Sequence, residues 1–174
     1  GFLVGLLMKG PSVDEVAAIA RAMRKNCVQI NPKVTGNLTD MCGTGGGLRT
    51  FNVSTANSVL TAAAGVPVAK HGSRSISASS GSADALEALG VKVELTPEQG
   101  KDLIEEVGIS FLYAPSFHPI MLKVFFPEQA LGIKTIFFTI IGPLINPAGA
   151  PHHLMGVYQP NLVELVANVV TQLP

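Results

Sequence analysis

The spacing of apolar residues changes several times along the chain, and each change predicts an element. Residues 1–8 are almost wholly apolar, Gly-Phe-Leu-Val-Gly-Leu-Leu-Met. The run is too short to span a membrane and lacks the basic flank and cleavage pattern of a leader. It reads as the tail of a core helix. Gly10-Pro11 breaks it, and Ser12 with Glu15 forms a capping-box pattern. Val16, Ile19, Ala20 and Met23 then recur at helical spacing, which predicts a helix over residues 13–26 with one apolar face. Asn, Pro, Thr and Gly crowd residues 31–37, a linker composition.

Beyond the linker, short apolar or alternating runs predict strands at Leu38–Cys42, 66–69, Val91–Leu95, Ile109–Tyr113, 133–141 and 154–158. Helices are predicted between them. One covers residues 52–64, and one runs from Ser82, as cap, to Leu89. A third runs from Pro97, capped by Thr96, to Gly108; the others are 119–130 and 162–173, the last capped by Asn161. Strands alternating with helices predict an α/β fold: a mainly parallel sheet flanked by helices, with part of a small all-helical N-terminal domain. The expected division is 1–35, helical, and 36–174, α/β, with helices within 97–130 available to pack on the helical part.

Composition narrows the classes. The chain is 47% hydrophobic and 14% charged, with a mean hydropathy of +0.39, which excludes a disordered segment. Twelve Lys and Arg balance twelve Asp and Glu, so there is no overall charge to attract nucleic acid or an anionic membrane. Neither partner is expected. Cys27 and Cys42 are too few for a disulfide framework and match no metal spacing, which fits a reducing compartment and a cytoplasmic location. The first residue falls inside an apolar run and the last helix stops at Pro174, so the chain reads as a piece of a longer protein.

Candidate chemistry concentrates in two loops after predicted strands, where open α/β sheets bind ligands. The first is Gly43 to Thr50, whose glycines let backbone N–H groups converge on an anion ahead of a helix N-terminus. Asn52, Ser54 and Thr55 at that helix start can donate to phosphate oxygens or simply cap the helix. The loop is neither a P-loop nor a dinucleotide fingerprint. The second is Lys70 to Ser80, where Lys70 and Arg74 bring positive charge, His71 a ring, and five serines hydroxyl donors. Together the loops read as a pyrophosphate or phosphosugar cradle. His118, Lys134 and Asn146 are weaker candidates. His152 and His153 lack spaced partners for a metal, and Asp84 and Glu87 suit cap or ion-pair roles. A nucleophile elbow is absent.

These residues stand in an order that resembles anthranilate phosphoribosyltransferase, within the superfamily that also holds nucleoside phosphorylases. The match runs through Gly43-Thr44-Gly45-Gly46, Asn52-Val53-Ser54-Thr55-Ala56, Lys70-His71-Gly72 and Ser79-Ser80-Gly81-Ser82-Ala83-Asp84. It continues through Phe117-His118-Pro119, Leu131-Gly132-Ile133, Gly142-Pro143-Leu144 with Asn146-Pro147, and Gly156-Val157-Tyr158. The resemblance covers essentially the whole chain but about half of a family member. It implies transfer of phosphoribosyl from phosphoribosyl pyrophosphate to anthranilate with release of pyrophosphate, in tryptophan biosynthesis, with Mg2+ and a homodimer formed through the helical domain. By position, Gly43, Thr44, Gly45, Asn52, Ser54, Thr55 and Lys70 would hold the phosphates, and Ser54 would also touch a magnesium ion. Thr50 would line the phosphosugar site and His71 would border anthranilate. Gly46, Ser73, Ser82 and Lys134 complete the implied substrate set, with Lys70 and His71 as the catalytic pair.

The chain departs from the family pattern at several points. Gly46 is followed directly by Gly47, without the family's Asp, and Ser73 replaces Asn. Lys134 replaces Arg, which keeps the charge but loses the planar fork for a carboxylate. Residues 137–142 run one residue longer and lack an Asn, and the family's magnesium-holding acidic pair lies beyond position 174. These differences imply impaired turnover. They also leave open a relative with a different acceptor and a non-catalytic phosphate-binding module.

Overall fold

The two-residue strand β1 (Thr39–Asp40) lies inside the sheet, with strands paired along both of its edges. In this computed structural model, which describes residues 1–45, 51–75 and 80–173, β2 (Val68–Gly72) lies on one side of β1 and β4 (His152–His153) on the other. Strand β3 (Ile109–Tyr113) lies outside β2, giving the order β3-β2-β1-β4 with every pair parallel. Parallel neighbours need crossovers. Helix α3 (Val53–Ala63) joins β1 to β2, and α4 (Ser82–Ala88) and α5 (Pro97–Val107) lie between β2 and β3. The chain thus steps from β1 outward to β3 and later returns to the other edge of β1. That reversal leaves a crevice beyond the carboxyl end of β1.

Local chemistry sets the elements that frame the crevice. Thr96 and Gln99 exchange cap hydrogen bonds, Pro97 enters the first turn of α5, and Gly108 ends it at φ 85°, a left-handed position that suits glycine. Gly100 lets α5 approach β3 closely: a Cβ there would stand 3.2 Å from Leu112 Cδ2. Leu112, Ile104, Ala69, Leu38, Ile30, Phe117 and Ala148 form the core on this side. The N-terminal helices are α1 (Phe2–Lys9) and α2 (Val13–Lys25), the latter with the Ser12–Glu15 capping box. Val16, Ala17, Ala20 and Met23 of α2 form a second core with Ile140, Ile141, Leu144 and Ile145. Val166 and Val169 of the last helix, α8 (Asn161–Val170), complete it. Between β3 and that layer run α6 (Ala114–Phe117) and α7 (Leu122–Leu131), the latter opened by a 3-10 turn at Pro119–Met121.

Several expected elements differ. Helix α1 forms, but Leu6 is its only buried residue, so it is not a core helix among the described residues. Residues 91–95 are irregular; their alternation reflects Val93 tucking under Ala83, Leu86 and Phe111. Residues 133–141 make no strand. Phe137–Ile141 is a π-helical turn whose buried residues, Phe137, Ile140 and Ile141, fall at helical spacing. Gly142 N–H donates to Phe137 O, a five-residue step that takes up one extra residue. The fourth strand is the polar pair His152–His153 rather than 154–158, because Leu154 N–H, bonded to Asp40 O, ends the pairing. Ser82 and Asn161 are first helical residues, with Gly81 and Pro160 at the caps.

The fully buried Leu112 sits at the join between α5 and the sheet. Leu112→Ala should destabilise the chain by about 2–5 kcal/mol, the usual loss when such a cavity opens. Urea unfolding of the two proteins measures the difference.

Candidate functional site

Strands β1 and β2 stop pairing through their backbones just where the candidate site begins. Their register sets Thr39 beside Val68. A parallel ladder continued from there would have Met41 O accept from His71 N–H and Ala69 O accept from Met41 N–H. Side chains take those places instead. Asp40 Oδ1 accepts from His71 N–H at 3.1 Å, and Asn146 Nδ2 donates to Ala69 O at 2.8 Å. Lys70 Nζ donates to Met41 O at 3.1 Å. The strand ends are wedged apart, while β2 stays paired to β3 as far as Gly72. Lys70, His71 and Gly72 are therefore strand residues, not the start of a loop as their composition suggested.

The wedge holds Lys70 in an unusual position. The residue is only 2% exposed, and its ammonium also donates to Ser54 Oγ, 3.4 Å away in the first turn of α3. Among the described residues it forms no ion pair and uses two of its three donors. Burial lowers its pKa, opposed by the nearby Cys42 and Asp40. Burial likewise raises the pKa of Asp40, opposed mainly by His153, and pushes the Cys42 thiol up to about 12. That direction disfavours the thiolate, the nucleophilic form.

Gly43, Thr44 and Gly45 leave β1 beside this ammonium. Thr44 N–H donates to Gly156 O at 2.9 Å, and its hydroxyl accepts from Tyr158 N–H at 3.0 Å. A Cβ on Gly43 would stand 3.0 Å from Gly156 O, tighter than ordinary contact, so this approach favours glycine. Asn52 at the start of α3 donates to Ser80 Oγ at 3.1 Å and to Gly81 O at 3.4 Å, which ties the two predicted loops together. Thr55 is buried, and its hydroxyl has no partner among the described residues. Ser73 O accepts from Ala83 N–H, and Ser82 begins α4 beside Gly72. Gly46, Thr50, Ser77 and Ser79 lie outside the described residues.

Two expected cations stand apart from the cluster. Arg74 pairs with Glu87 at 2.5 Å and Glu94 at 2.9 Å and lies over the Tyr113 ring, so its charge is neutralised on the outside. Lys134 is exposed and shares no hydrogen bond with the cluster among the described residues. Residues underrated in the sequence are Asp40, Asn146 and His118. An acid inside a buried strand immediately before a glycine loop was the available signal for Asp40. His118 packs edge-on to His71, ring centroids 5.0 Å apart, and all four ring nitrogens are buried without hydrogen-bond partners among the described residues. Burial is the first cause that lowers both pKa values: His71 falls well below 6.5, with the charges of His118 and Lys70 adding to the effect, and His118 falls to about 4. Both rings are neutral near pH 7.

Magnesium ligands are sparse among the described residues. Ser54 offers one neutral oxygen beside an ammonium, and no group of three acidic, histidine or cysteine ligands stands among the described residues. No described helix is long and apolar enough to cross a membrane.

Residues 35–174 match the family model described as glycosyl transferase family, a/b domain. An anthranilate phosphoribosyltransferase of Persephonella marina is 51% identical over 172 residues, covering 98% of this chain and 50% of the relative. One from Methanosarcina barkeri is 48% identical, covering 99% and 47%. The chain therefore spans about half the length of the curated relatives it matches. Among solved structures, the anthranilate phosphoribosyltransferase of Thermus thermophilus aligns with a TM-score of 0.90 at 43% identity, covering 98% of this chain and 51% of that one. The Saccharomyces cerevisiae enzyme in complex with PRPP and Mg aligns at 0.89 and 28% identity, covering 98% and 48%.

The buried imidazoles set a pH response. Their folded pKa values lie below 6.5, so the unfolded chain binds more protons between 6.5 and about 4. Stability should be fully present above about pH 6.5 and decline as pH falls towards 4, and His118→Phe should flatten that decline. Denaturant unfolding across the interval checks this; equal slopes in the two proteins would show that His118 is not held neutral.

Proposed function

We propose, on the premise that the chain belongs to the glycosyl transferase family, a/b domain, that it is the pyrophosphate-holding part of an anthranilate phosphoribosyltransferase. The observation that carries this reading is Lys70: a buried ammonium that forms no ion pair among the described residues, held on β2 against the first turn of a helix. A cation taken out of water is costly unless an anion joins it. The open donor of Lys70 and the hydroxyls of Ser54 and Thr55 offer a pyrophosphate that company, and Thr44, Asn52 and the Gly43–Gly45 backbone, hydrogen-bonded within the fold, frame the same proposed site. Gly46, Thr50, Ser73 and Ser82 belong to the same proposed substrate set.

In this reading the amine nitrogen of anthranilate attacks C1 of the phosphoribosyl group. The C1–O bond to pyrophosphate breaks, pyrophosphate leaves with the bonding electrons, and the amine proton passes to solvent. Charge grows on the leaving group, where fixed donors are most effective. Lys70 acts as the catalytic cation. His71, neutral and backed by His118, borders the acceptor; positioning rather than strong base chemistry is what an aromatic amine needs. Bound magnesium would add charge neutralisation on pyrophosphate, and Ser54 is the described residue proposed to touch it. Weak turnover by this chain alone fits the missing Asp after Gly46 and the Ser73 and Lys134 replacements. The division at residue 35, a cytoplasmic location and a homodimer through the helical part belong to the same proposal. The exposed Phe2, Leu7 and Met8 of α1 support the dimer.

The exposed Lys134 favours a second reading of the acceptor alone, in which a nucleobase or another aromatic amine replaces anthranilate. Competition between anthranilate and nucleobases for the loaded protein separates the two.

Lys70→Met keeps the side-chain stem and removes the charge. Its affinity for phosphoribosyl pyrophosphate, measured by calorimetry, should fall roughly ten- to a hundredfold, as expected for a charged hydrogen-bonding group. Its stability should hold or rise, because a buried cation is removed. Undiminished binding by Lys70→Met would remove the basis of the reading.

A further inference from the structure

We propose that Asp40, braced by Asn146, is a positioning residue for Lys70: its carboxylate takes the place of main-chain pairing and keeps the ends of β1 and β2 apart, so that the ammonium occupies the gap. This rests on the reading of Lys70 as the pyrophosphate-holding cation and extends it to residues that do not themselves meet the ligand.

The register supplies the argument. After Thr39 and Val68, the next donor on β2 that faces β1 is His71 N–H, and its natural acceptor is Met41 O. Met41 O is the atom that Lys70 uses as its anchor, at 3.1 Å. Both donors would be directed at the same carbonyl, which in a continued ladder would point across to the neighbouring strand rather than towards the ammonium. Asp40 Oδ1 resolves the conflict by accepting His71 N–H at 3.1 Å, which frees Met41 O for the ammonium. Asn146 Nδ2 satisfies Ala69 O at 2.8 Å, the other group left over when the ladder stops, while its Oδ1 accepts from Ala148 N–H at 2.8 Å and fixes the amide orientation. Without these substitutes, closing the ladder would satisfy the buried backbone groups and expel Lys70.

Asp40 is 1% exposed, and its Oδ2 has no hydrogen-bond partner among the described residues. A buried carboxylate is a costly way to accept one hydrogen bond. Its cost is understandable if the acceptor must lie on β1 and must not be the carbonyl that Lys70 needs.

Two variants separate acceptor from bulk. Asp40→Asn keeps an acceptor oxygen, whereas Asp40→Leu keeps the branching at Cγ without one. The first readout needs no ligand: acetylation of Lys70 by an activated ester in the folded 174-residue chain, quantified by mass spectrometry. We expect Lys70 to be modified about tenfold faster or more in Asp40→Leu, the equivalent of losing one charged hydrogen bond, and near the parent rate in Asp40→Asn. Should Asp40→Leu fail to fold, Asn146→Ala breaks the same wedge and is expected to expose Lys70 likewise. Lys70 protected as in the parent in every folded variant that lacks the acceptor or its brace would overturn the proposal. So would equal exposure in Asp40→Asn and Asp40→Leu.

The second readout is calorimetry with inorganic pyrophosphate, where Asp40→Leu should bind about tenfold more weakly than the parent and Asp40→Asn close to it. Parent-like pyrophosphate binding by Asp40→Leu contradicts the proposal. Absence of binding by the parent itself counts against the pyrophosphate reading, and the acetylation result then decides the positioning role on its own.

Discussion

The constraint on which this structure turns is a single ammonium kept out of water. Lys70 lies on a central strand, where an alternating pattern would normally place an apolar side chain. Its neighbours on β2, Val68 and Ala69, are fully buried. A cation in that position demands dipoles, and the fold provides the Met41 carbonyl just past β1 and a hydroxyl from α3. Those two contacts connect the strand before the glycine loop with the helix after it. The geometry of the loop's ends is thus fixed by the same charge that a bound anion would neutralise.

The sheet order explains why this happens here and not elsewhere. β1 has neighbours on both edges, one reached by crossover through α3 and the other only after the chain has built β3 and the helical layer. Segments from distant parts of the sequence therefore converge at its carboxyl end. Asn146 arrives from the turn after the π-helical segment, Gly156 and Tyr158 from beyond β4, and Ser80 and Gly81 from the approach to α4. Each replaces a hydrogen bond that β1, β2 or the start of α3 would otherwise lack. Short strands suffice because side chains complete the satisfaction of their backbones.

Much of this was legible in the sequence because it rests on local rules. The Ser12–Glu15 and Thr96–Gln99 caps, the Gly108 stop and the β3 run all depend on residues a few positions apart. The glycine run and Lys70-His71 stood out for the same reason, and the anion site they suggest belongs to the proposed function. What was not legible depends on long-range pairing. His152–His153 carries no apolar pattern and becomes a strand only because β1 offers an open edge. Residues 137–141 are apolar enough for strand or helix, and packing against α2 and α8 selects a helical turn with one residue to spare. Arg74 and Lys134 look like ligands in one dimension. In three, Glu87 and Glu94 claim Arg74, and Lys134 faces outward.

The two histidines show how the same burial serves opposite ends. For Lys70, removal from water leaves a charge that seeks an anion. For His71 and His118 it suppresses charge, because a ring nitrogen can give up its proton where a lysine with a far higher intrinsic pKa need not. Within two adjacent residues of one strand the fold therefore produces a cation and a neutral aromatic wall. In the proposed transfer an aromatic amine displaces an anionic leaving group from carbon, and these two surfaces suit the two ends of that exchange. The amine needs only an uncharged face that leaves its nitrogen free, since a protonated ring beside Lys70 would repel any positive charge that developed on the attacking nitrogen. The alternation of side chains along β2, wedged open from β1 at that point alone, supplies the separation.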